Sequence, residues 1–207
     1  MLNVAMPKGR LSDAVFALLA RAGYGYETLQ KDDRRLVLRD DKRGIAYLQV
    51  KPADVAVYVA HGAADVGVLG KDVLDEGGED VYELLDLGIG RCAMSVAAPE
   101  NFREDRQRAL RVATKYPNTA RRFYATRNRE IEIIKLNGSI ELAPLLGLSD
   151  VIVDIVETGA TLRQNHLAVI ESISPVSARL IANKASEKFK GKEIGALVAA
   201  LSKEVSA

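Results

Sequence analysis

Apolar residues along this chain fall into two rhythms. Short aliphatic and β-branched runs at 2–6, 45–50, 64–69, 91–98, 111–114, 131–136, 151–153 and 177–182 read as buried strands, with a further apolar stretch at 36–38. Between them the spacing turns helical. Val15, Phe16, Leu18 and Leu19 mark a helix over 12–22 that Gly23 stops, and Pro52 suits the first turn of one reaching about residue 60. Helices are also predicted over 70–76, 119–126 and 163–171, with a short one around Glu141 and a terminal one over 185–205 interrupted at Lys190-Gly191. Strands alternating with helices throughout predict an α/β fold with mainly parallel sheets. A domain crossing is placed near the strand at 91–98.

Polar residues interrupt this pattern mostly where strands end. Lys8-Gly9-Arg10 follows the first strand, Lys51 follows the one at 45–50, and Gly70-Lys71 follows the one at 64–69. Any one of these reads as solvated charge at a turn. Three in the first third of a chain point to an anion site, because open α/β sheets bind ligands at the carboxyl ends of their strands. Arg34 and Arg35 read by default as solvated edge charges, and the charged residues between 101 and 110 as an ordinary solvated face.

The stretch at 151–162, V-I-V-D-I-V-E-T-G-A-T-L, carries the most chemistry. Strand, short polar loop and helix start form a phosphate cradle, with backbone N–H groups aimed at the ligand. Gly159 allows close approach, and Thr158 and Thr161 offer hydroxyls to cap the helix or to reach phosphate oxygens. Asp154 would repel phosphate but accepts hydrogen bonds from ribose hydroxyls. Glu157 can do the same or help hold a hydrated Mg²⁺. A phosphorylated ribose fits both halves. The ordinary alternative is a strand–turn–helix with solvated acids, and the P-loop pattern is absent.

Composition narrows the partners. The 207 residues are 48% hydrophobic and 28% charged with a formal net charge of +1, so broad electrostatic binding to nucleic acid is not expected. The single cysteine, Cys92, excludes an internal disulfide and reads as strand packing rather than as a nucleophile. The N-terminus lacks a signal-peptide core, and no run approaches membrane-spanning length, so the expected location is cytoplasmic. His61 and His166 share no metal spacing, and no zinc motif or Ser/His/Asp order is present.

Four blocks in order carry a family resemblance: P-K-G-R at 7–10, H-G-A-A-D-V-G-V-L-G-K-D-V-L at 61–74, A-T-K-Y-P-N at 113–118, and N-G-S-I-E-L-A-P-L-L-G-L-S-D-V-I-V-D-I-V-E-T-G-A-T-L at 137–162. Through them the chain resembles the short form of ATP phosphoribosyltransferase, almost end to end. The resemblance implies a two-lobed fold like that of periplasmic binding proteins, with an interlobe active-site cleft. Residues 1–90 plus 177–207 would form the nucleotide lobe, and 91–176 the lobe holding the phosphoribosyl pyrophosphate loop. It implies condensation of ATP with phosphoribosyl pyrophosphate to N1-(5-phosphoribosyl)-ATP and pyrophosphate, with Mg²⁺ accompanying the substrate and no direct metal ligand assigned.

Carried over by position, Asp154 and the loop Thr158, Gly159, Ala160, Thr161 and Leu162 would bind the ribose and 5-phosphate, with Glu157 beside them. Glu141 is a further candidate for that site. Lys8, Gly9, Arg10, Gly70 and Lys71 would line the nucleotide side, and Arg34 and Lys51 would face the pyrophosphate. Lys51, Arg34 and Arg10 are the catalytic candidates. Lysine at 51 departs from the family's more usual arginine, keeping the charge but losing the bidentate fork. Ending at residue 207, the chain is expected to lack the long form's regulatory domain. A homodimer joined by a regulatory subunit resembling histidyl-tRNA synthetase is therefore expected. Two other readings stand beside this one: another phosphoribosyltransferase of the salvage type, which usually shows adjacent paired acids, and a non-enzymatic receptor-like binding module.

Overall fold

The computed structural model describes residues 1–25 and 35–206, which form two compact units: Met1–Gly90 with Ser177–Ala207, and Arg91–Val176. In chain order the first unit runs β1 (Leu2–Pro7), α1 (Arg10–Leu19), β2 (Val37–Asp40), β3 (Ile45–Val50), α2 (Val55–Ala60), β4 (Val66–Gly70), α3 (Lys71–Gly77) and β5 (Tyr82–Asp86). The second unit holds β6 (Cys92–Pro99), β7 (Leu110–Thr114), α4 (Pro117–Ala125), β8 (Ile131–Lys135), α5 (Leu142–Leu145), β9 (Val151–Val156), α6 (Ala160–Gln164) and β10 (Leu167–Val176). The chain then returns to the first unit with β11 (Ala178–Ala182) and α7 (Lys184–Ser206).

The first unit's sheet has the order β2-β3-β1-β4-β11-β5. Alternating side chains send Leu2, Val4 and Met6 of β1 to one face, where α1 (Val15, Leu18, Leu19) and α7 (Ile194, Leu197, Leu201) cover them. Ala5 faces the other way, with Leu69 and Ile181, under Val55, Ala56 and Val59 of α2. Helices on both faces make this a doubly wound layer. Gly67 lets α2 sit close, since a Cβ there would lie 2.8 Å from methyls of both Val55 and Val59. The predicted helix at 12–22 is found as α1, continued by a wider π turn over Ala20–Tyr24 in which Gly23 turns left-handed at φ 82°.

The second sheet has the order β10-β6-β9-β7-β8. Met94, Val96, Val112, Val151 and Val153 line one face under Phe123 and Tyr124 of α4. Ala97, Ala113 and Ile152 line the other under Ala143, Leu162 and Leu167.

Two expectations are corrected. The sheets are mixed rather than mainly parallel: pairing is parallel at β3-β1-β4 and at β8-β7-β9, and antiparallel elsewhere among the described residues. Antiparallel strands need no crossover helix, so helix–strand alternation overstates parallel pairing. The helix predicted over 163–171 is a five-residue turn of helix, α6, followed by strand β10. His166 turns the chain at φ 54°, and β10 then pairs with β6 from Leu167↔Pro99 to Val176↔Cys92. The Val-Ile and Ile-Ser steps of that segment suit a pleated edge better than a helix.

Candidate active site

In the first unit the parallel strands β3, β1 and β4 lie side by side, so their carboxyl ends share one edge. The Lys8 N–H donates to the Val50 carbonyl at 2.8 Å, fixing the end of β1 beside the end of β3. Gly9 then adopts φ 96°, ψ −153°, a conformation L residues rarely reach, and Arg10 opens α1. Lys51 is extended at φ −63°, ψ 144° and leads into the turn Pro52–Asp54. Gly70 ends β4, Lys71 starts α3, and the Lys71 N–H donates to the Ser177 carbonyl at 2.9 Å.

One edge therefore gathers Lys8, Arg10, Lys51 and Lys71 with three helix starts. It is also where the chain reverses: from β1 the connection runs to β3 on one side, and from β3 back across to β4 on the other, the place where open sheets bind ligands. The four cations are not equivalent. Lys8 and Lys51 are exposed and have no carboxylate partner among the described residues. Lys71 is paired with Glu83 at 2.7 Å and Asp75 at 2.9 Å. Burial alone would lower its pKa, but those two acids raise it overall, so it stays charged with its charge largely balanced. Arg179 braces Glu83 at 3.5 Å and Asp86 at 2.9 Å, and Asp86 accepts the Ser177 hydroxyl at 2.7 Å. Arg34 lies outside the described residues.

In the second unit the parallel strands β8, β7 and β9 likewise end on one edge. After β9 comes the loop Glu157-Thr158-Gly159, with Ala160 and Thr161 opening α6. Gly159 is left-handed at φ 68°, and a Cβ there would lie 3.2 Å from Arg163 Nη1, so conformation and space both call for glycine. The Arg163 guanidinium donates to the Thr158 carbonyl at 2.9 Å, and Thr158 Oγ1 accepts the Ala160 N–H at 3.3 Å. Leu162, 6% exposed, pins the loop into the core beneath with Ile140 and Ala143. Because α6 has only five residues, it adds little macrodipole. What the loop offers an anion is its own N–H and hydroxyl groups.

Asp154 is half-buried on β9, where its Oδ1 accepts the Ile155 N–H at 2.8 Å. Glu157 and Thr161 are exposed. Glu141 stands at the start of α5, and the residues around it, Ile140 and Ala143, pack with Ile152 of β9 and Leu162 of α6.

The sequence reading passed over Lys115, which follows β7 directly, between β8 and β9 on this edge. The signal was available, since Lys115 repeats the strand-end lysine of positions 8, 51 and 71. The charged residues between 101 and 110 are exposed, as expected of a solvated face. The segment is nonetheless tied down, because the Arg129 side chain, 10% exposed, pairs with Glu104 at 2.7 Å and donates to the carbonyls of Arg108 and Asp105. His61 ends α2 and His166 makes the turn before β10. Among the described residues no group of three or more His, Cys, Asp or Glu is placed to hold a metal, and no helix is long and apolar enough to cross a membrane.

Comparison with known proteins gives three findings. A family model described as ATP phosphoribosyltransferase matches residues 51–203. The chain is 53% identical over 199 residues to the ATP phosphoribosyltransferase of Brachyspira hyodysenteriae, covering 96% of this chain and 97% of that one, and 52% identical over 194 residues to that of Caldanaerobacter subterraneus, covering 94% and 92%. Its structure is similar to the ATP phosphoribosyl transferase (HisG:HisZ) complex from Thermotoga maritima, with a TM-score of 0.86, 32% identity, and coverage of 100% of this chain and 99% of that one. It also matches the alkanesulfonate-binding protein SsuA from Xanthomonas axonopodis at a TM-score of 0.57 and 13% identity, over 98% of this chain and 72% of that one; this shows a shared fold of the periplasmic-binding-protein type and nothing about ligand.

Proposed function

Since this chain belongs to the ATP phosphoribosyltransferase family, we propose that its two strand-end edges divide the two substrates of that reaction between them. The enzyme condenses ATP with phosphoribosyl pyrophosphate, giving N1-(5-phosphoribosyl)-ATP and pyrophosphate in the first step of histidine biosynthesis. Lys8, Gly9, Arg10, Gly70 and Lys71, on the first unit, bind ATP. On the second unit the loop from Thr158 to Leu162 binds the 5-phosphate, and Asp154 accepts the ribose hydroxyls. Glu157 stands beside them, and Glu141, at the start of α5, is a further candidate for that site. The observation that carries this reading is the gathering of four cations from separate chain segments on the carboxyl edge of β3-β1-β4.

The chemistry needs no activated side-chain nucleophile. Adenine N1 attacks C1 of the ribose, the C1–O bond to pyrophosphate breaks as positive charge builds on the sugar, and the electron pair leaves with pyrophosphate. The protein contributes positioning and cations at the leaving group. Lys51 fills that role, together with Arg10 and Arg34. Lys51 meets pyrophosphate as a point charge rather than as a fork. Mg²⁺ accompanying the substrate would neutralise the pyrophosphate, and Glu157 is the residue beside the loop that would help hold the hydrated ion.

We further place this chain in an assembly: a homodimer joined by a regulatory subunit resembling histidyl-tRNA synthetase, acting in the cytoplasm. The likeness to a chain of a HisG:HisZ complex supports that reading. An absorbance assay for phosphoribosyl-ATP, with ATP, phosphoribosyl pyrophosphate, Mg²⁺ and pyrophosphatase, tests both parts when run with and without the second protein. Product that depends on the second protein is expected. No product from folded protein in either arm rejects the substrate assignment, and full activity alone rejects the dependence.

A further inference from the structure

The second unit's phosphate loop is flanked by acids. Asp154 and Glu157 bring two negative charges to the mouth of β9, and the nearby cation, Arg163, spends Nη1 on the Thr158 carbonyl. A phosphorylated sugar binding there gains from a further cation beside the loop.

Lys115 is placed to supply it. Strands β7 and β9 pair in parallel with Thr114 opposite Val153, so the next residues, Lys115 and Asp154, stand abreast on adjacent strands. The backbone there is fixed. Thr114, with no exposure, donates its hydroxyl to the Val153 carbonyl at 2.6 Å and accepts the Tyr116 N–H at 2.8 Å. Pro117 then starts α4. Lys115 itself is exposed and has no carboxylate partner among the described residues. Its ammonium lies 5.7 Å from the centre of the Tyr116 ring, a contact that orients the chain without neutralising it. An unpaired cation on a rigid strand end, beside an acid-flanked anion loop, is what ligand neutralisation requires.

We propose that Lys115 is a substrate-binding residue of this enzyme, supplying the ammonium that meets a phosphate of phosphoribosyl pyrophosphate on the second unit. This rests on the assignment of that substrate to the 158–161 loop. The contact is a charge-assisted hydrogen bond made in the ground state, so its loss weakens binding more than turnover.

The test is equilibrium titration of the full chain with phosphoribosyl pyrophosphate, comparing wild type, Lys115→Ala, Lys115→Arg and, as a control on the loop, Gly159→Ala. Lys115→Ala is expected to bind about tenfold more weakly, with the KM for ATP and the melting temperature unchanged, and Lys115→Arg to recover most of the loss. Ribose 5-phosphate and inorganic pyrophosphate, titrated separately, tell which phosphate the ammonium meets. Unchanged binding by Lys115→Ala while Gly159→Ala loses it overturns the role of Lys115 alone. Unchanged binding by both overturns the loop assignment and the inference together. Lys115→Gln replaces the alanine variant should that one melt early.

Discussion

Asp150, placed just before β9, gives the most quantitative handle on this structure. Its carboxylate side chain is 8% exposed and accepts Arg108 Nη1 at 2.7 Å and Nη2 at 2.9 Å. From Arg111 it accepts the backbone N–H at 2.9 Å, Nη2 at 2.8 Å and Nε at 3.3 Å. Its own N–H donates to the Arg111 carbonyl at 2.9 Å, so one residue ties the start of β7 to the start of β9. Removing one partner of a buried ion pair costs about 3–5 kcal/mol. The two arginine side chains are 49% and 35% exposed, so water takes over part of their solvation, and about 2–3 kcal/mol is the expected loss for Asp150→Asn. At this size that is a fall in melting temperature of roughly 5–10 °C.

The pH dependence carries the sign. The Arg108 guanidinium, then Arg111, hold the Asp150 carboxyl well below the usual range, opposed by partial burial. A depressed folded pKa gives stability that is fully present above the unfolded value near 3.9 and lost as pH falls toward the folded one. Thermal melts of wild type and Asp150→Asn at about pH 7 and about pH 3 should therefore show a gap that narrows at the lower pH. Equal melting at pH 7, or a gap that does not narrow, refutes this reasoning.

Other predictions follow from single contacts. Lys51→Ala should lower kcat by about 2 orders of magnitude with the circular dichroism spectrum intact, and an unchanged kcat removes Lys51 from the mechanism. Gly67→Ala forces a methyl against Val55 and Val59 and should cost about 1–3 kcal/mol in urea unfolding; wild-type stability would show that α2 moves aside freely. Asp65, 4% exposed, accepts Lys190 Nζ at 2.7 Å, the Ser186 hydroxyl at 2.7 Å and the Asn3 N–H at 2.8 Å, joining β1 to α7. Burial alone would raise its pKa, but these donors bring it below the ordinary value, so the destabilisation of Asp65→Asn should shrink in melts taken below about pH 4.

Local signals were legible and distant ones were not. The glycine and lysine punctuation at Lys8-Gly9, Lys51-Pro52 and Gly70-Lys71 marks strand ends from sequence because φ > 0, proline and helix starts each have local requirements. That β3, β1 and β4 are neighbours, bringing those ends to one edge, is a matter of strand order and has no local signature. The 163–171 segment misled because Leu162 and Leu167 anchor either a helix or a turn into a strand, and the choice was made by pairing with β6, whose partners lie about 70 residues away. Arg108 and Arg111 look like solvated charges until Asp150 is brought beside them from 42 and 39 residues further along the chain. Lys115 is hidden in sequence for a similar reason: it follows β7 directly, and only the pairing of β7 with β9 brings it beside Asp154.

The central assignment places ATP on the first unit's edge through Lys8 and the ribose 5-phosphate on the second unit's loop through Thr161. Calorimetric titration of Lys8→Ala and of Thr161→Val, each with ATP and with phosphoribosyl pyrophosphate in Mg²⁺, tests it most directly. Lys8→Ala should weaken ATP binding while leaving phosphoribosyl pyrophosphate untouched, and Thr161→Val should do the reverse. Loss of both ligands in each variant, or of the opposite ligand, would contradict the assignment of ATP to the β3-β1-β4 edge and of the ribose 5-phosphate to the loop after β9.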